Sequence, residues 1–168
     1  MRVSANHHPG IRVSDIDRSA RFYIEALEGR WLTSPMTHQG PDAELIMGGT
    51  PNARFKVCHI GFDEGVIELF EFLEPALPVR PAPPAAGGII HFAFCVDDVP
   101  AALERVERAG GRRYWPEVRA MPLGFQVIYV TDPDAHVLEL IDVAVEDLVH
   151  RLVEADPRNA PPRAGETV

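Results

Sequence analysis

The sequence predicts an α+β fold that consists of two βαβββ modules followed by a C-terminal helix. The order of one strand, one helix and three strands occurs twice in the 168 residues. His8, at the start of the first strand, recurs as His91 at an offset of 83 residues. Asp15, which follows the same strand, recurs as Asp98 at that offset. A Pro-rich stretch between the copies cannot form a regular element, so the repetition indicates two duplicated units.

The first module is expected to start with a strand at residues 8–14. A helix follows at residues 15–27, because the apolar side chains there recur at helical spacing and Gly29 ends the pattern. Beyond it, segments rich in strand-forming residues are separated by turn-rich pieces. These strand candidates cover residues 31–33, 43–47, 54–60 and 66–73. The first module therefore contains one strand, one helix and about three more strands.

The second module repeats this order. A strand is expected at residues 89–96 and a helix at residues 97–109, with Asp98 as the N-cap, Pro100 in the first turn and Gly110 as the stop. Strands follow at residues 112–115, 125–131 and 137–143, and residues 132–134 form a hairpin turn. An additional helix is expected at residues 145–155.

These elements predict a single domain at residues 1–145. Its first module covers about residues 7–74, the linker 75–88 and the second module about 89–145. Residues 146–168 comprise the added helix and a polar, Pro-rich tail that we expect to be mobile.

Composition narrows the possible partners and location. The chain has 16 basic and 25 acidic residues and a formal charge of −9, which argues against nucleic acid or an anionic membrane as a partner. It lacks an 18-residue apolar run, and its first residues lack the basic-then-apolar order of a secretory signal. We therefore expect a cytoplasmic protein. Cys58 and Cys95 lie in apolar strand segments and are expected to be buried free thiols.

Two strands carry a glutamate among aliphatic residues. With a side-chain period of two, Glu71 shares its face with leucines, and Glu139 lies between Val and Ile on its own face. Glu68 falls on the face opposite Glu71 and is expected to be solvated. A buried carboxylate needs a cation, and His8 and His91 each start a nearby strand. His8, Glu71, His91 and Glu139 together form a plausible ligand set for one divalent metal ion.

Four segments resemble the vicinal oxygen chelate superfamily, which includes glyoxalase I, methylmalonyl-CoA epimerase, extradiol dioxygenases and bleomycin resistance proteins. They are HHPGIRVSDIDRSARFY, FEFLEP, HFAFCVDDVPAALERVERAG and VTDPDAHVLELID. The resemblance implies that the modules form a cupped mixed sheet around a metal site. It also implies that His8, Glu71, His91 and Glu139 bind the metal, a set most similar to that of glyoxalase I. A homodimer is expected. The two modules could pair within one chain or between the two chains of the dimer.

The resemblance implies a metal-dependent isomerase or epimerase that moves a proton next to a metal-bound carbonyl through an enediolate-type intermediate. The ion could be Zn²⁺, Ni²⁺, Co²⁺, Mn²⁺ or Fe²⁺. The substrate is expected to be a small molecule with a carbonyl or vicinal oxygens, such as an acyl-CoA, a thiohemiacetal or a keto-cyclitol. Glu139 is a candidate catalytic carboxylate as well as a ligand.

Glu44 is a second candidate catalytic residue. Its segment, DAELIM, resembles the strand on which methylmalonyl-CoA epimerase carries one of two catalytic carboxylates. If Glu44 and Glu139 lay on opposite sides of the substrate carbon, one could remove a proton and the other return it. The alternative is a solvated glutamate on an edge strand.

Two other functions remain open. An Fe²⁺ extradiol-type dioxygenase of this superfamily uses two His and one Glu, so a fourth ligand argues against it. A non-catalytic antibiotic-binding resistance protein usually lacks the metal ligands. Of the remaining side chains, Arg12 could contact an acidic substrate group or a carboxylate of the cavity. The other histidines are expected at the surface or in packing: His38, His59, His136 and His150.

Overall fold

The computed structural model describes residues 6–80, 85 and 88–162. Its first module contains β1 (Gly10–Val13), α1 (Ile16–Leu27), β2 (Arg30–Trp31), β3 (Met36–Gln39), α2 (Pro41–Ile46), β4 (Arg54–Gly61) and β5 (Val66–Glu74). Its second module contains β6 (Phe92–Cys95), α3 (Val99–Arg108), β7 (Arg112–Arg113), β8 (Arg119–Met121), β9 (Phe125–Thr131) and β10 (Val137–Ile141). The added helix is α4 (Val145–Ala155), and a short 3-10 turn follows at Pro157–Asn159.

Each module forms one mixed sheet, and the two sheets have the same topology. The strand order is β1-β5-β4-β2 in the first sheet, with β3 also pairing with β4. In the second sheet the order is β6-β10-β9-β7, with β8 also pairing with β9. In both sheets the first and last strands of the module are parallel neighbours, and the remaining pairs are antiparallel. The predicted α+β fold with two repeated modules and a C-terminal helix is confirmed.

Asp15 and Asp98 start α1 and α3 in the same way. Each has extended backbone, and its carboxylate accepts a hydrogen bond from the backbone N–H of Arg18 or Ala101. An aspartate at this position satisfies an amide that the first helical turn leaves without a partner. The N-cap predicted at Asp98 is confirmed, and Gly110 follows the end of α3 with φ of 95°, as expected for a helix stop.

The helices α1 and α3 pack against each other, and each covers one face of its own module's sheet. One apolar core joins the two modules, because buried side chains of both helices and both sheets belong to one cluster. We call the side of each sheet that α1 or α3 covers the helix face, and the other side the open face. Alternation along each strand decides which side chains reach the open face.

The hairpin between β9 and β10 ties the second module to the first. The Asp134 carboxylate accepts hydrogen bonds from the backbone N–H of Ser14 at 3.0 Å, the hydroxyl of Ser14 at 2.6 Å and the Arg18 guanidinium at 2.7 Å. Burial opposes the charged form of Asp134, but the bonds from Ser14 and Arg18 lower its pKa below the ordinary value. Nearby, the Tyr23 hydroxyl donates to the buried Asp132 carboxylate at 3.0 Å.

Some local expectations are wrong. The strand predicted at residues 43–47 is instead the short helix α2, which has a proline in its first turn and acidic side chains near its N-terminus. Both features favour a helix start. The strands predicted near residues 31 and 112 shrink to two residues each, and β3 and β8 were not predicted. Cys58 is buried as expected, whereas Cys95 is exposed, and both thiols are free.

The linker predicted at residues 75–88 lies partly outside the described residues, and so does the end of the predicted tail, at residues 163–168. Among the described residues, no helix combines the length and the apolar character that are needed to cross a bilayer.

Candidate metal centre

A histidine and a glutamate meet on the open face of the first sheet. His8 precedes β1, and its Nε2 lies 3.0 Å from Oε2 of Glu68 on β5. Along β5, Ile67 and Leu69 point into the helix-face core and are almost fully buried. Glu68, between them, therefore points to the open face.

His59 joins this pair from β4. It lies directly opposite Glu68 in the antiparallel ladder, and its Nε2 is 3.2 Å from Glu68 Oε1. Its other ring nitrogen, Nδ1, is 3.2 Å from the Thr33 hydroxyl, which also accepts a hydrogen bond from the His59 backbone N–H. The His59 ring is therefore fixed with Nε2 toward Glu68.

The open face of the second sheet carries the corresponding pair. His91 precedes β6, and its Nε2 lies 2.9 Å from Oε2 of Glu139 on β10. Tyr129 on β9 lies directly opposite Glu139, and its ring packs edge-on against the His91 ring at a centroid distance of 5.1 Å. Burial raises the pKa of Tyr129, and the charge of Glu139 and a hydrogen bond to it raise it further.

Strand register makes the two pairs equivalent. The residue two positions after His8, Gly10, pairs with Glu68 in the parallel β1–β5 ladder. The residue two positions after His91, Ala93, pairs with Glu139 in the β6–β10 ladder. Because both pairs occupy the same register position on the same face, Glu68 is the repeat partner of Glu139.

The structure does not bring Glu71 to His8, which corrects the sequence-based assignment. Glu71 points to the helix face, where its Oε2 lies 3.0 Å from Lys56 Nζ and 3.3 Å from the backbone N of Ile16 at the start of α1. Lys56 lies opposite Glu71 in the β4–β5 ladder. The cation that a buried carboxylate requires therefore comes from the neighbouring strand. Glu68, expected to be solvated, is the carboxylate beside His8.

Glu44 also lies apart from these histidines. It belongs to α2 rather than to a strand, and its Oε1 accepts a hydrogen bond from the backbone N–H of Asn52 at 2.8 Å. It lines a shallow depression with Gln39, Asn52 and Arg54. Among the described residues Glu44 does not join the cluster of His8, His59 and Glu68, so its placement gives no support to a role as the second catalytic carboxylate.

The two pairs do not form one four-residue cluster within the chain. Among the described residues, the one group of three or more His, Cys, Asp or Glu side chains whose ligand atoms all lie within 4.8 Å of one another is His8, His59 and Glu68. His91 and Glu139 form their own pair on the other sheet. Each module therefore presents one His–Glu pair, and in the first module Glu68 stands beside His8 where the sequence predicted Glu71.

The donor atoms of each half fit a divalent ion. Ligand atoms about 2.1 Å from one ion lie about 3.0 to 3.4 Å apart at octahedral or tetrahedral angles. The separations of 3.0 Å for His8 and Glu68 and 2.9 Å for His91 and Glu139 match the lower end of this range. Imidazole and carboxylate donors suit Zn²⁺, Ni²⁺, Co²⁺, Mn²⁺ and Fe²⁺.

Arg12 lies on the same open face as His8. Its guanidinium stacks over the Phe72 ring, 4.9 Å from the centroid, and one of its terminal nitrogens donates to the Leu77 carbonyl. Its Nε is buried and has no hydrogen-bond partner among the residues that the structure describes. Arg12 therefore places a positive charge on this face, with one N–H still unpaired within the described part of the chain.

Sequence reasoning missed Glu68 and His59, although a local signal pointed to them. The turn at residues 62–65 fixes the β4–β5 hairpin, in which Gly61 pairs with Val66. Counting outward from the turn places His59 opposite Glu68 and Lys56 opposite Glu71. Lys56 thus marks the face on which Glu71 has a cationic partner, and His59 marks the face on which Glu68 lies beside potential metal ligands.

Comparisons with known proteins agree with this architecture. Residues 6–140 match the Glyoxalase/Bleomycin resistance protein/Dioxygenase superfamily. The uncharacterized protein YaeR of Escherichia coli is 31% identical over 140 residues, which are 81% of this chain and 94% of that protein.

Two solved structures share the fold. A glyoxalase family protein from Bacillus cereus superposes with a TM-score of 0.75 at 20% identity, covering 84% of this chain and 95% of that one. The trypanothione-dependent glyoxalase I of Leishmania major superposes with a TM-score of 0.60 at 24% identity, covering 90% and 93%. Because the match to the family covers residues 6–140, the chain belongs to the Glyoxalase/Bleomycin resistance protein/Dioxygenase superfamily.

Proposed function

We propose that this protein is a metal-dependent isomerase that moves a proton between positions next to a substrate carbonyl, with one carboxylate as the base. The observation that carries the proposal is the repeated His–Glu pair, His8 with Glu68 and His91 with Glu139, at the same register position of both sheets. Two imidazoles and two carboxylates would balance the charge of a divalent ion and leave positions for substrate oxygens.

The complete site would form between two copies of the chain. Within one chain the two pairs lie on separate sheets, and among the described residues His91 and Glu139 do not join the cluster around Glu68. A homodimer in which the open face of one copy's first module meets the open face of the other copy's second module would bring both pairs together. Twofold symmetry would then create two identical sites.

A bound divalent ion would act as a Lewis acid, polarising the substrate carbonyl and making the adjacent C–H more acidic. Glu139 is the better candidate for the base. Both oxygens of Glu68 face imidazoles, whereas Glu139 faces a single imidazole, through Oε2, and its second partner is the Tyr129 hydroxyl. Glu139 would accept the proton and return it on the same face of the substrate, because Glu44 is held by Asn52 outside this group.

The substrate would be a small molecule with a carbonyl next to a C–H group and an anionic group for Arg12. A guanidinium recognises a carboxylate or a phosphate well because its planar donors match two acceptor oxygens. Such a substrate would orient its carbonyl toward the His–Glu pairs while Arg12 holds its charged end. This requirement favours acidic acyl-CoA or sugar-derived carbonyl compounds over neutral ones.

The test is exchange of solvent deuterium into candidate carbonyl compounds. Unchanged protein loaded with Zn²⁺, Ni²⁺ or Co²⁺ is expected to incorporate deuterium at the carbon next to the carbonyl. Glu139→Gln should lower the exchange rate by roughly 10² or more, because the amide cannot accept the proton. Glu44→Gln is the matched control, and it should exchange at the rate of the unchanged protein. Equal rates in Glu139→Gln and the unchanged protein would refute the assignment of the base.

A further inference from the structure

We propose that the first module binds a divalent metal ion on its own, through Nε2 of His8, Nε2 of His59 and the carboxylate of Glu68. His59 would then be a metal ligand in addition to the four residues of the proposed function. This inference shares His8 and Glu68 with that function but does not depend on His91 or Glu139.

The three side chains converge from three different segments. His8 precedes β1, His59 lies on β4 and Glu68 lies on β5 between them in the sheet. The imidazoles approach different oxygens of one carboxylate, at 3.0 Å and 3.2 Å, and their rings are 5.6 Å apart at an angle of 87°. All three donors thus face one small volume on the open face. Their side chains are partly exposed, by 28% for His8, 25% for His59 and 18% for Glu68.

The chemistry of the donors favours a cation in that volume. An ionised carboxylate can only accept hydrogen bonds, so each nitrogen that faces it must carry a proton or share a cation with it. The outer nitrogens are already engaged, with His7 Nδ1 against His8 Nδ1 and the Thr33 hydroxyl against His59 Nδ1. Hydrogen bonds to the outer nitrogen typically orient histidines that bind metals. Two histidines and one carboxylate form a set that accepts Zn²⁺ or Fe²⁺ and leaves positions open.

The second module provides an internal comparison. The position opposite Glu139 is occupied by Tyr129, whereas the position opposite Glu68 is occupied by His59. A protonated phenol can orient the carboxylate by a hydrogen bond but is a poor ligand for Zn²⁺. The two halves of the proposed site are therefore unequal, with three donors in the first module and two in the second. We infer that the first module acquires the ion, and that the second module completes its coordination.

The experiment separates a ligand from a residue that only orients Glu68. The parent protein is the full-length chain with His91→Ala and Glu139→Gln, which leaves the first module as the metal site. It is expected to retain about one Zn²⁺ per chain after dialysis against buffered Zn²⁺. Adding His59→Tyr copies the arrangement of the second module. It should weaken Zn²⁺ binding by roughly 100-fold or more in a chelator competition. Loss of a residue that only orients a ligand costs about 10- to 100-fold, so a larger loss indicates a ligand.

His38→Tyr is the matched control, because His38 is another histidine of the first sheet and stacks on Phe55. It should leave Zn²⁺ affinity unchanged. Two results would overturn the inference. Equal affinity of the parent and its His59→Tyr derivative would mean that His59 only orients Glu68. Loss of Zn²⁺ from the parent itself would mean that the first module is not sufficient.

A second measurement uses the unchanged protein and does not depend on any variant folding. The ¹⁵N resonances of the imidazole nitrogens are recorded before and after addition of Zn²⁺. Nε2 of His59 should shift together with Nε2 of His8, and an unmoved His59 resonance beside a shifted His8 resonance would contradict the inference. Absence of deuterium exchange with every substrate would refute the proposed isomerase and leave these Zn²⁺ results standing.

Discussion

Lys56 Nζ lies 3.0 Å from Glu71 Oε2 across β4 and β5, on the helix face of the first sheet. The hydrogen bond with Glu71 also raises the pKa of Lys56, so the ammonium stays charged. Glu71 is therefore neutralised by a lysine on the opposite side of the sheet from the candidate metal centre. Glu68 and Glu71 lie three residues apart on β5, and their side chains therefore have different partners on opposite faces of the sheet.

The first prediction compares these two glutamates. Glu68→Gln should lower the metal content strongly with little loss of stability, because an amide is a poor ligand for a divalent ion. Glu71→Gln should retain the metal and lower the free energy of unfolding by about 1–2 kcal/mol, because a charge-assisted bond is lost in a partly exposed pair. Metal analysis and urea unfolding check both. Metal loss in Glu71→Gln with retention in Glu68→Gln would reverse our assignment.

The second prediction concerns the dimer. A chain with His8→Ala and Glu68→Gln and a chain with His91→Ala and Glu139→Gln should each be inactive in deuterium exchange. Mixed and reassociated in equal amounts, they should recover about one quarter of the unchanged activity, because half of the dimers would be mixed and each would hold one intact site. If the mixture stays inactive while sedimentation shows mixed dimers, the site does not form between chains.

The third prediction concerns substrate charge. Arg12→Gln should raise the KM for an acidic carbonyl substrate by roughly 10-fold or more, because a hydrogen bond to a charged group is worth about 1.5–3 kcal/mol. The metal content and the kcat should change little. A neutral ester of the same substrate is the control, and its KM should be the same for both proteins. An equal rise in KM for both compounds would show that Arg12 does not bind the anionic group.

The fourth prediction concerns the contact between modules. The folded state lowers the pKa of Asp134 below its ordinary value of 3.8, so the carboxylate stabilises the fold above that pH. This stabilisation is lost as the pH falls through the lower, folded-state pKa. Asp134→Asn should therefore reduce the free energy of unfolding by about 1–3 kcal/mol at pH 7, and the difference should shrink toward pH 3 and below.

The control for this prediction is Asp63→Asn, at the corresponding hairpin of the first module. Asp63 is fully exposed, and its carboxylate is 3.7 Å from the Arg30 guanidinium. Exposed ion pairs contribute little to stability, so this variant should unfold like the unchanged protein at both pH values. An Asp134→Asn deficit that stays constant from pH 7 to pH 2 would assign the effect to packing rather than to charge.

Much of the fold was predictable from local sequence chemistry. The repeat, both long helices of the modules and the hairpin strands are confirmed, because capping aspartates such as Asp15 and Asp98 and the side-chain periods act within a few residues. The strand predicted at residues 43–47 is wrong, since the apolar residues of this segment fit a short strand as well as a helix. The helix start at Pro41 was the stronger signal.

By itself, the sequence determined that a histidine and a glutamate recur in each half of the chain, and it singled out His8, His91 and Glu139 as candidate ligands. Only the tertiary structure decided that Glu68 rather than Glu71 is the partner of His8. Period-two alternation sorts the side chains of β5 onto two faces, but it does not say which face the helices cover. The packing of α1 settles that choice: it covers the face of Leu69 and Glu71 and leaves Glu68 beside His8 and His59.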